Sequence, residues 1–215
     1  MAGDDGSSRL VDTERAHRDL RLLTEVTGQL SRTLDVTDAA QELASAVVPE
    51  LADFCCVDLL DAPGSGAAHR VAVSHRLADQ VPELRSLGEQ SSHVGGTDLV
   101  SMVASGGEPV LVPSIGESLR HPESSPSEQL DWGRFFQPLK PQSVILVPLR
   151  ARGEVLGVLT LGTERSSGRR YAEHDLRVAV ALAERAALAM DNARLFTRER
   201  DAARVLQRSL LPVLP

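Results

Sequence analysis

Histidine and cysteine are the residue types that most readily bind metals or attack substrates, and here neither is arranged for that chemistry. The six histidines lie at positions 17, 69, 75, 93, 121 and 174, without the spacing of a helical metal site. His69 and His75 fall on one predicted strand with even spacing and should share a face. They are separated by roughly 20 Å at the usual rise per residue, so they cannot share one metal. We expect no metal site.

The two cysteines are adjacent, as Cys55 and Cys56, inside an apolar run from 54 to 60. On a strand, neighbouring side chains point to opposite faces of the sheet, so a disulfide between them would be strained. We interpret them as two small buried thiols in a reducing compartment rather than as a redox pair.

Sequence motifs for other catalytic chemistries are missing. The chain contains no G-x-S-x-G, H-E-x-x-H or G-x-x-x-x-G-K-S/T pattern. Asp58 and Asp61 flank a predicted turn and are interpreted as solvated turn residues. The stretch 95–98, GGTD, either presents helix N-terminal amides to an anion or only caps a helix, and capping is the favoured interpretation. We expect no catalytic residue.

The amino-acid composition limits the kinds of partner and the cellular compartment that we expect for this protein. The chain has 215 residues, a formal net charge of -7 and a pI near 5.4, which argues against a nucleic-acid partner. No run of eighteen apolar residues occurs, and an acidic start lacks the features of a signal peptide. We therefore expect a cytoplasmic protein without a membrane partner. A single lysine beside many arginines suggests a high-GC bacterial genome.

Residues 143–162, SVILVPLRARGEVLGVLTLG, predict a hairpin of two central strands. Apolar side chains point to both faces of this hairpin, so helices or a ligand must cover both sides. Gly157 marks either a bulge or a close approach to the backbone, and the bulge is the favoured interpretation.

Helices are predicted at both ends of the chain. Apolar residues recur every three or four positions over 12–34 and again over 37–51, where Thr37 or Asp35 is the expected cap. A long helix is predicted over 171–211. Its first half is rich in alanine, which permits close packing, and its second half has a narrow apolar seam among arginines.

The middle of the chain predicts shorter elements. We expect strands at 54–60, 69–75 and 109–112, helices at 77–87 and 99–105, and one helix within a long excursion over 113–142. The first two strands should pair as a hairpin, because a Pro- and Gly-containing turn joins them.

Four stretches in order resemble the GAF domain, a small-molecule sensory fold. They are GGEPVLVP at 106–113, SVILVPL at 143–149, GEVLGVLTLG at 153–162, and the helix 171–196 ending in NARLF. The resemblance covers about residues 20–196. It implies an α/β (α+β) fold with an antiparallel sheet of five or six strands, the terminal helices on one face and a ligand cavity on the other.

The same resemblance implies a division of the chain and a lining for the cavity. Residues 1–11 would be a disordered start or boundary, 12–196 the GAF domain, and 197–215 a helical linker to a missing effector domain. The expected lining is Val71, Val73, His75, Leu99, Met102, Val103, Trp132, Phe135, Phe136 and Ile145. This mostly apolar set would suit a small hydrophobic ligand or none.

The resemblance leaves the cofactor unassigned. The N-K-x-F-D-E set of cyclic-nucleotide-binding GAF domains is not visible, and no cysteine stands where a bilin would attach. A haem would need a histidine that reaches the cavity, for which His75 and His93 are the candidates. An ordinary surface or core histidine is the favoured interpretation of both.

Residues 199–215, ERDAARVLQRSLLPVLP, resemble the junction that opens the catalytic domain of SpoIIE-type (PPM-family) serine/threonine phosphatases. Relatives dephosphorylate anti-anti-sigma factors. The metal-binding aspartates would lie beyond Pro215, so we expect no phosphatase activity in this polypeptide. We also expect a homodimer through the helices 12–34 and 173–211, which would pass a signal to the effector.

Two other functions stay open at this point. A free methionine sulfoxide reductase of GAF fold uses several separated cysteines, whereas only the adjacent pair is present here. The effector domain of a transcription regulator would need a helix-turn-helix, and none precedes residue 20. The residues that follow Pro215 would distinguish all three.

Overall fold

The chain folds around one antiparallel sheet. The structure is a computed structural model that describes residues 4–61, 68–90, 99–118 and 141–210. Side chains are described within 13–61, 68–87, 99–116 and 141–204 and at 207. The elements are α1 (Asp4–Leu30), α2 (Val36–Val47), β1 (Phe54–Leu60), β2 (Ala68–His75), α3 (Val81–Gln90), α4 (Leu99–Gly106), β3 (Val110–Val112), α5 (Ile115–Ser118), β4 (Pro141–Ala151), β5 (Glu154–Glu164) and α6 (Glu173–Leu210).

The five strands lie in the order β2-β1-β5-β4-β3, and every neighbouring pair is antiparallel. Helices α1, α2 and α6 cover one face, while α3, α4 and α5 cover the other. This arrangement confirms the predicted α+β fold, with the terminal helices together on one side of the sheet.

Two separate cores result from this layering. The terminal-helix core joins α1, α2 and α6 to the sheet and includes Cys55, Val57, Leu159 and Leu161. The far-face core lies on the opposite side and consists of Phe54, Cys56, Val73, Leu84, Leu99, Val100, Val103, Val112, Ile115, Val144, Leu146 and Val158. Alternate residues of β1 therefore enter different cores, which confirms that the two cysteines face opposite sides.

The first two helices differ from their predicted bounds for simple reasons. Helix α1 begins at Asp4, inside the segment whose composition predicted a disordered start, because extending a nucleated helix costs little per residue. Helix α2 is capped by Asp35, whose carboxylate accepts from the amides of Thr37 (2.8 Å) and Asp38 (3.1 Å). It ends at Val47, because the helix cannot continue through Pro49.

The predicted central hairpin is confirmed as β4 and β5. Its two-residue turn places Arg152 at φ 51° and Gly153 at φ 85°, the left-handed pair that such tight hairpins require. An arginine is unusual in that conformation. Its Nε lies 2.7 Å from Oδ2 of Asp191 on α6, so an ion pair ties the turn to the C-terminal helix.

Gly157 satisfies both interpretations of its sequence position. Leu149 pairs with Gly157 but Arg150 pairs with Val155, so a register shift beside the glycine leaves Leu156 unpaired. In addition, a Cβ at Gly157 would lie 2.2 Å from the carbonyl oxygen of Asp58 on β1. The strands therefore approach so closely that only glycine fits.

We expect Gly157→Ala to lower the free energy of unfolding by about 2 kcal/mol or more, because β1 or β5 must move to admit the methyl group. The matched control is Gly28→Ala, at a helical position where an added Cβ meets nothing within 4 Å. That control should instead raise stability by about 0.5–1 kcal/mol. Urea unfolding of both variants measures the difference, and similar effects would contradict the close approach.

Candidate functional site

The far face of the sheet carries most of the described residues that the sequence assigned to the cavity. Val73, Leu99 and Val103 belong to the far-face core, and Met102 is half-buried against it. His75 is buried, and its ring stacks on Phe54 with the ring centroids 6.3 Å apart. The structure thus brings β2 and α4 together on this face; binding of a ligand by these residues stays a prediction.

The placement of Val71 is a correction. Val57 pairs with Ala72 but Asp58 pairs with Arg70, so Val71 is the extra residue of a bulge in β2. Its side chain packs against the terminal-helix core, away from the far face. Strict alternation along the strand had assigned it to the same face as Val73.

The same bulge corrects the relation between His69 and His75. His69 pairs with Leu59, whose side chain belongs to the terminal-helix core, whereas His75 pairs with Phe54 in the far-face core. Because one extra residue lies between them, the two histidines point to opposite faces despite their even spacing.

The placement of Ile145 is also a correction. It pairs with Leu161, and both side chains are buried in the terminal-helix core. Its neighbour Leu146 faces the far side instead. Both faces of β4 are apolar over residues 144–149, and the polar residues near its ends fall in both alternating sets, Ser143 in one and Gln142 and Arg150 in the other, so the sequence does not fix which set faces the cavity.

Several predicted positions lie outside the described residues. These are Trp132, Phe135 and Phe136 of the predicted aromatic stripe, His93, and the 95–98 stretch. Their assignment stays a prediction.

The contacts of His75 are those of a structural histidine. Nδ1 lies 2.9 Å from the amide nitrogen and 3.1 Å from the carbonyl oxygen of Leu77, and Nε2 lies 3.2 Å from Oε1 of Glu164. Both ring nitrogens are therefore occupied by protein groups. In this arrangement the ring has no free nitrogen for a haem iron.

A buried ion pair on the far face is the main feature that the sequence analysis missed. Arg70 donates from Nε to Oδ1 of Asp58 (2.9 Å) and from Nη2 to Oδ2 (3.1 Å). Only 3% of the arginine side chain and 7% of the aspartate side chain are exposed. Asp58 is therefore not the solvated turn residue that was predicted, because β1 continues to Leu60 before the chain turns.

This ion pair also positions a helix. Nη1 of Arg70 donates to the carbonyl oxygen of Leu84 in α3 at 2.8 Å, while the Leu84 side chain is buried in the far-face core. One guanidinium thus links β1, β2 and α3. The rigid planar fork of arginine suits this bidentate geometry, which lysine could not reproduce.

One polar atom on the far face is left without a partner. The Oγ1 of Thr160 is buried and makes no hydrogen bond to any of the residues that the structure describes. Thr160 pairs with Cys56 on one side and Leu146 on the other, so its side chain lies among apolar groups of the far-face core. A buried hydroxyl without a partner costs about 1–3 kcal/mol, so it is a candidate for recognising a polar group of a ligand.

The cysteines are unsuited to redox chemistry in this fold. Burial raises the pKa of the Cys56 thiol to about 11, and the opposing effect of Arg70 is smaller. Burial likewise raises the pKa of the Cys55 thiol. Both thiols therefore stay protonated near neutral pH, and they face different cores. The methionine sulfoxide reductase alternative loses its chemical basis.

A groove of about 890 Å³ lies between α1 and α2, away from the far face. Its lining is mostly polar and carries charges of both signs, including Glu14, His17, Arg18, Arg21, Glu42 and Glu50. Such a mixed lining does not select one class of ligand.

Within the described residues, no group of three or more His, Cys, Asp or Glu side chains could hold a metal ion. Over the same part of the chain, no helix combines the length and hydropathy needed to span a membrane.

Removing one partner of the Asp58–Arg70 pair should be costly, because the other charge is left buried. We expect Arg70→Met or Asp58→Leu to lower the free energy of unfolding by about 3–5 kcal/mol, and the apolar double variant Asp58→Leu/Arg70→Met to recover most of it. The exposed pair Arg204–Asp201 is the control, where Arg204→Met should change little. Guanidinium unfolding measures all four; additive losses in the double variant would contradict the coupling.

Comparison with known proteins agrees with this geometry. The family model described as the GAF domain matches residues 33–191. The GAF domain of a phosphoenolpyruvate-protein phosphotransferase from Coxiella burnetii superposes with a TM-score of 0.64 at 20% identity, covering 85% of this chain and 98% of that one.

Two further solved structures are similar in fold. The free methionine-R-sulfoxide reductase from Neisseria meningitidis gives a TM-score of 0.60 at 15% identity, over 82% of this chain and 90% of that one. The second GAF domain of DevS from Mycobacterium smegmatis gives 0.55 at 19% identity, over 77% and 99%. At these identities the likeness concerns the fold alone. Because the family model spans most of the sequence, the chain belongs to the GAF domain family.

Proposed function

We propose that this sensory and regulatory GAF domain controls a serine/threonine phosphatase of the SpoIIE type, and that α6 connects the two. The observation that carries the proposal is the shape of α6. Among the side chains that the structure describes, the last buried one on this helix is Ala193, yet the helix continues to Leu210. Those seventeen further residues extend about 25 Å at the rise of an α-helix, enough for an arm between domains.

The sequence of that arm supports the choice of effector. Residues 199–215 resemble the junction before a SpoIIE-type catalytic domain, and the metal-binding aspartates would follow Pro215. Such an enzyme in relatives removes phosphate from anti-anti-sigma factors. We propose the same substrate class for the whole protein, with the GAF region as its regulator rather than its catalyst.

The signal entering the domain is proposed to be a small, mostly apolar molecule with one hydrogen-bonding group. Support comes from the far-face core, which is apolar around the hydroxyl of Thr160, a group without a partner among the described residues, while His75 and the Asp58–Arg70 pair on this face are bonded to protein groups. Arg70 is already committed to Asp58 and Leu84, so a strongly anionic ligand is less suited to this face.

The output is proposed to pass through a homodimer. Leu20 on α1 and Leu188 and Phe196 on α6 expose 63%, 53% and 42% of their surface. Large apolar side chains exposed on two neighbouring helices are typical of an interface. A second copy of the chain would cover them and couple the two α6 helices.

The ligand proposal predicts extra mass in a native mass spectrum of the freshly purified protein. Thr160→Val should lose that mass while raising the free energy of unfolding by about 1 kcal/mol, because the unpaired hydroxyl is removed. Thr163→Val is the control, since that hydroxyl donates to the carbonyl of Ser143 (3.4 Å), and it should not gain stability. A bare chain mass in the wild type, or equal retention by Thr160→Val, would refute the proposed anchor.

The effector proposal predicts Mn²⁺-dependent phosphatase activity in the protein extended beyond Pro215. Ala202→Pro should break α6 at an exposed position and change that activity several-fold, because proline removes a helix hydrogen bond and costs about 3 kcal/mol. Ala202→Ser keeps the helix and is the control. Thermal unfolding of the GAF region should be the same in both variants.

Two results would count against this proposal. One is an extended protein without phosphatase activity. The other is equal activity of Ala202→Pro and Ala202→Ser, which would mean that α6 carries no signal.

A further inference from the structure

The turn between β4 and β5 has an arginine where glycine, asparagine or aspartate is preferred. In the part of the chain that the structure describes, Arg152 is the one residue other than glycine with a positive φ, at 51°. A residue with a Cβ is disfavoured in this left-handed region, and Asn-Gly is the preferred pair for a two-residue hairpin turn. Turn chemistry therefore does not explain the arginine, and a role of its side chain would.

That side chain reaches α6. Nε of Arg152 lies 2.7 Å from Oδ2 of Asp191, and 62% of the arginine side chain is exposed but only 16% of the aspartate side chain. Oδ2 is buried and accepts no well-aligned hydrogen bond from the described residues. The positive charge of Arg152 is thus what compensates the carboxylate of Asp191 for its lost contact with water.

The ion pair lies where α6 leaves the domain. Helix α6 packs on β4, and none of the described side chains that follow Ala193 is buried. Within the described residues, two ion pairs join α6 to other elements. His174 pairs with Asp19 of α1 at 2.6 Å near the start of the helix, and Asp191 pairs with Arg152 at 2.7 Å near its exit. The second pair is therefore the last charged contact before the arm.

We propose that Arg152 is a positioning residue, and that its ion pair with Asp191 is a latch that fixes the direction in which α6 leaves the domain. This role rests on the proposed function, in which α6 is the output, and it adds the contact that regulates this output. While the latch is closed, the exit of α6 is tied to the central hairpin. When it is open, packing alone holds this end of the helix, and the arm takes more than one direction.

The energetics of the pair suit a latch better than a structural support. Because most of the Arg152 side chain is exposed, water and salt screen its attraction to Asp191, so the pair is weak. The unfavourable turn position of Arg152 offsets part of that gain. A contact with so small a net contribution to stability opens readily when β5 moves.

An asparagine at the turn separates the latch from the turn. Arg152→Asn gives the preferred Asn-Gly pair and removes the charge. Its urea midpoint should stay at that of the wild type, while the amides that follow Asp191 should exchange with deuterium about fivefold faster. Asp191→Asn leaves the turn unchanged and should show the same faster exchange. Glu154→Gln, which removes one charge at an exposed position beside the turn, is the matched control and should exchange like the wild type.

Exchanging the two charges tests the pair itself. Aspartate tolerates the left-handed turn position, so Arg152→Asp/Asp191→Arg keeps the hairpin and again places opposite charges together. Asp191→Arg alone places two arginines together and should exchange fastest. The double variant should return to the exchange of the wild type, and one that stays as fast as Asp191→Arg would overturn the latch.

Spin-label distances measure the exit direction. The labels are attached to Thr197→Cys on α6 and to Asp79→Cys between β2 and α3, both at exposed positions, and the labelled chain is diluted with unlabelled chain. The natural cysteines are 0% and 2% exposed and should stay unlabelled. The distance distribution should be narrow in the otherwise unchanged chain and broader when Arg152→Asn or Asp191→Asn is added.

Two outcomes would show an ordinary structural contact and overturn the latch. One is a distance distribution of equal width with and without Arg152→Asn. The other is a lower urea midpoint of Arg152→Asn with unchanged deuterium exchange. Every measurement uses this chain alone, so a missing phosphatase activity in the extended protein would refute the proposed effector and leave the latch standing.

Discussion

The structure depends on the complete burial of its central strands on both faces. All seven residues of β1 are buried, and so are the eight residues from Leu156 to Thr163 on β5. Alternate side chains must therefore enter two cores that meet only through the sheet. This requirement explains why helices from both chain ends lie on one face, and why the other face needs α3 and α4. It also explains the glycine at 157, where β1 and β5 approach too closely for a side chain.

Most of the fold could be predicted because hydrophobic pattern and turn chemistry agree along the chain. The apolar run 54–60 coincides with β1, and the polar stretch 150–153 that the sequence assigns to the turn contains the actual turn at Arg152 and Gly153, although β4 continues to Ala151. One kind of error arises where a single extra residue in a strand reverses which face of the sheet the neighbouring side chains point to. The bulge at Val71 reverses the faces of the residues that precede it, and nothing in the composition of β2 indicates its position.

The candidate site was less predictable, because its key residues come into contact only when strands that are separate in the sequence pair with each other. Asp58 and Arg70 are twelve residues apart, and each is an ordinary charged residue until β1 and β2 align them. A useful signal was present, because a charge inside an apolar run on a central strand needs a partner on the adjacent strand. Thr160 gave no such signal, since a threonine is common on strands and only the structure shows that its hydroxyl is unpaired.

The strand that carries Thr160 also reaches the helix that leaves the domain. Val158 and Thr160 face the far side of β5, while Leu159 and Leu161 on the same strand pack beneath the terminal helices. The turn that begins this strand is tied through Arg152 to Asp191 on α6. A close-packed core cannot absorb added volume on one face without moving the strand. A ligand on the far face would therefore displace the hairpin where it contacts α6, the helix that the proposed function makes the output of the domain.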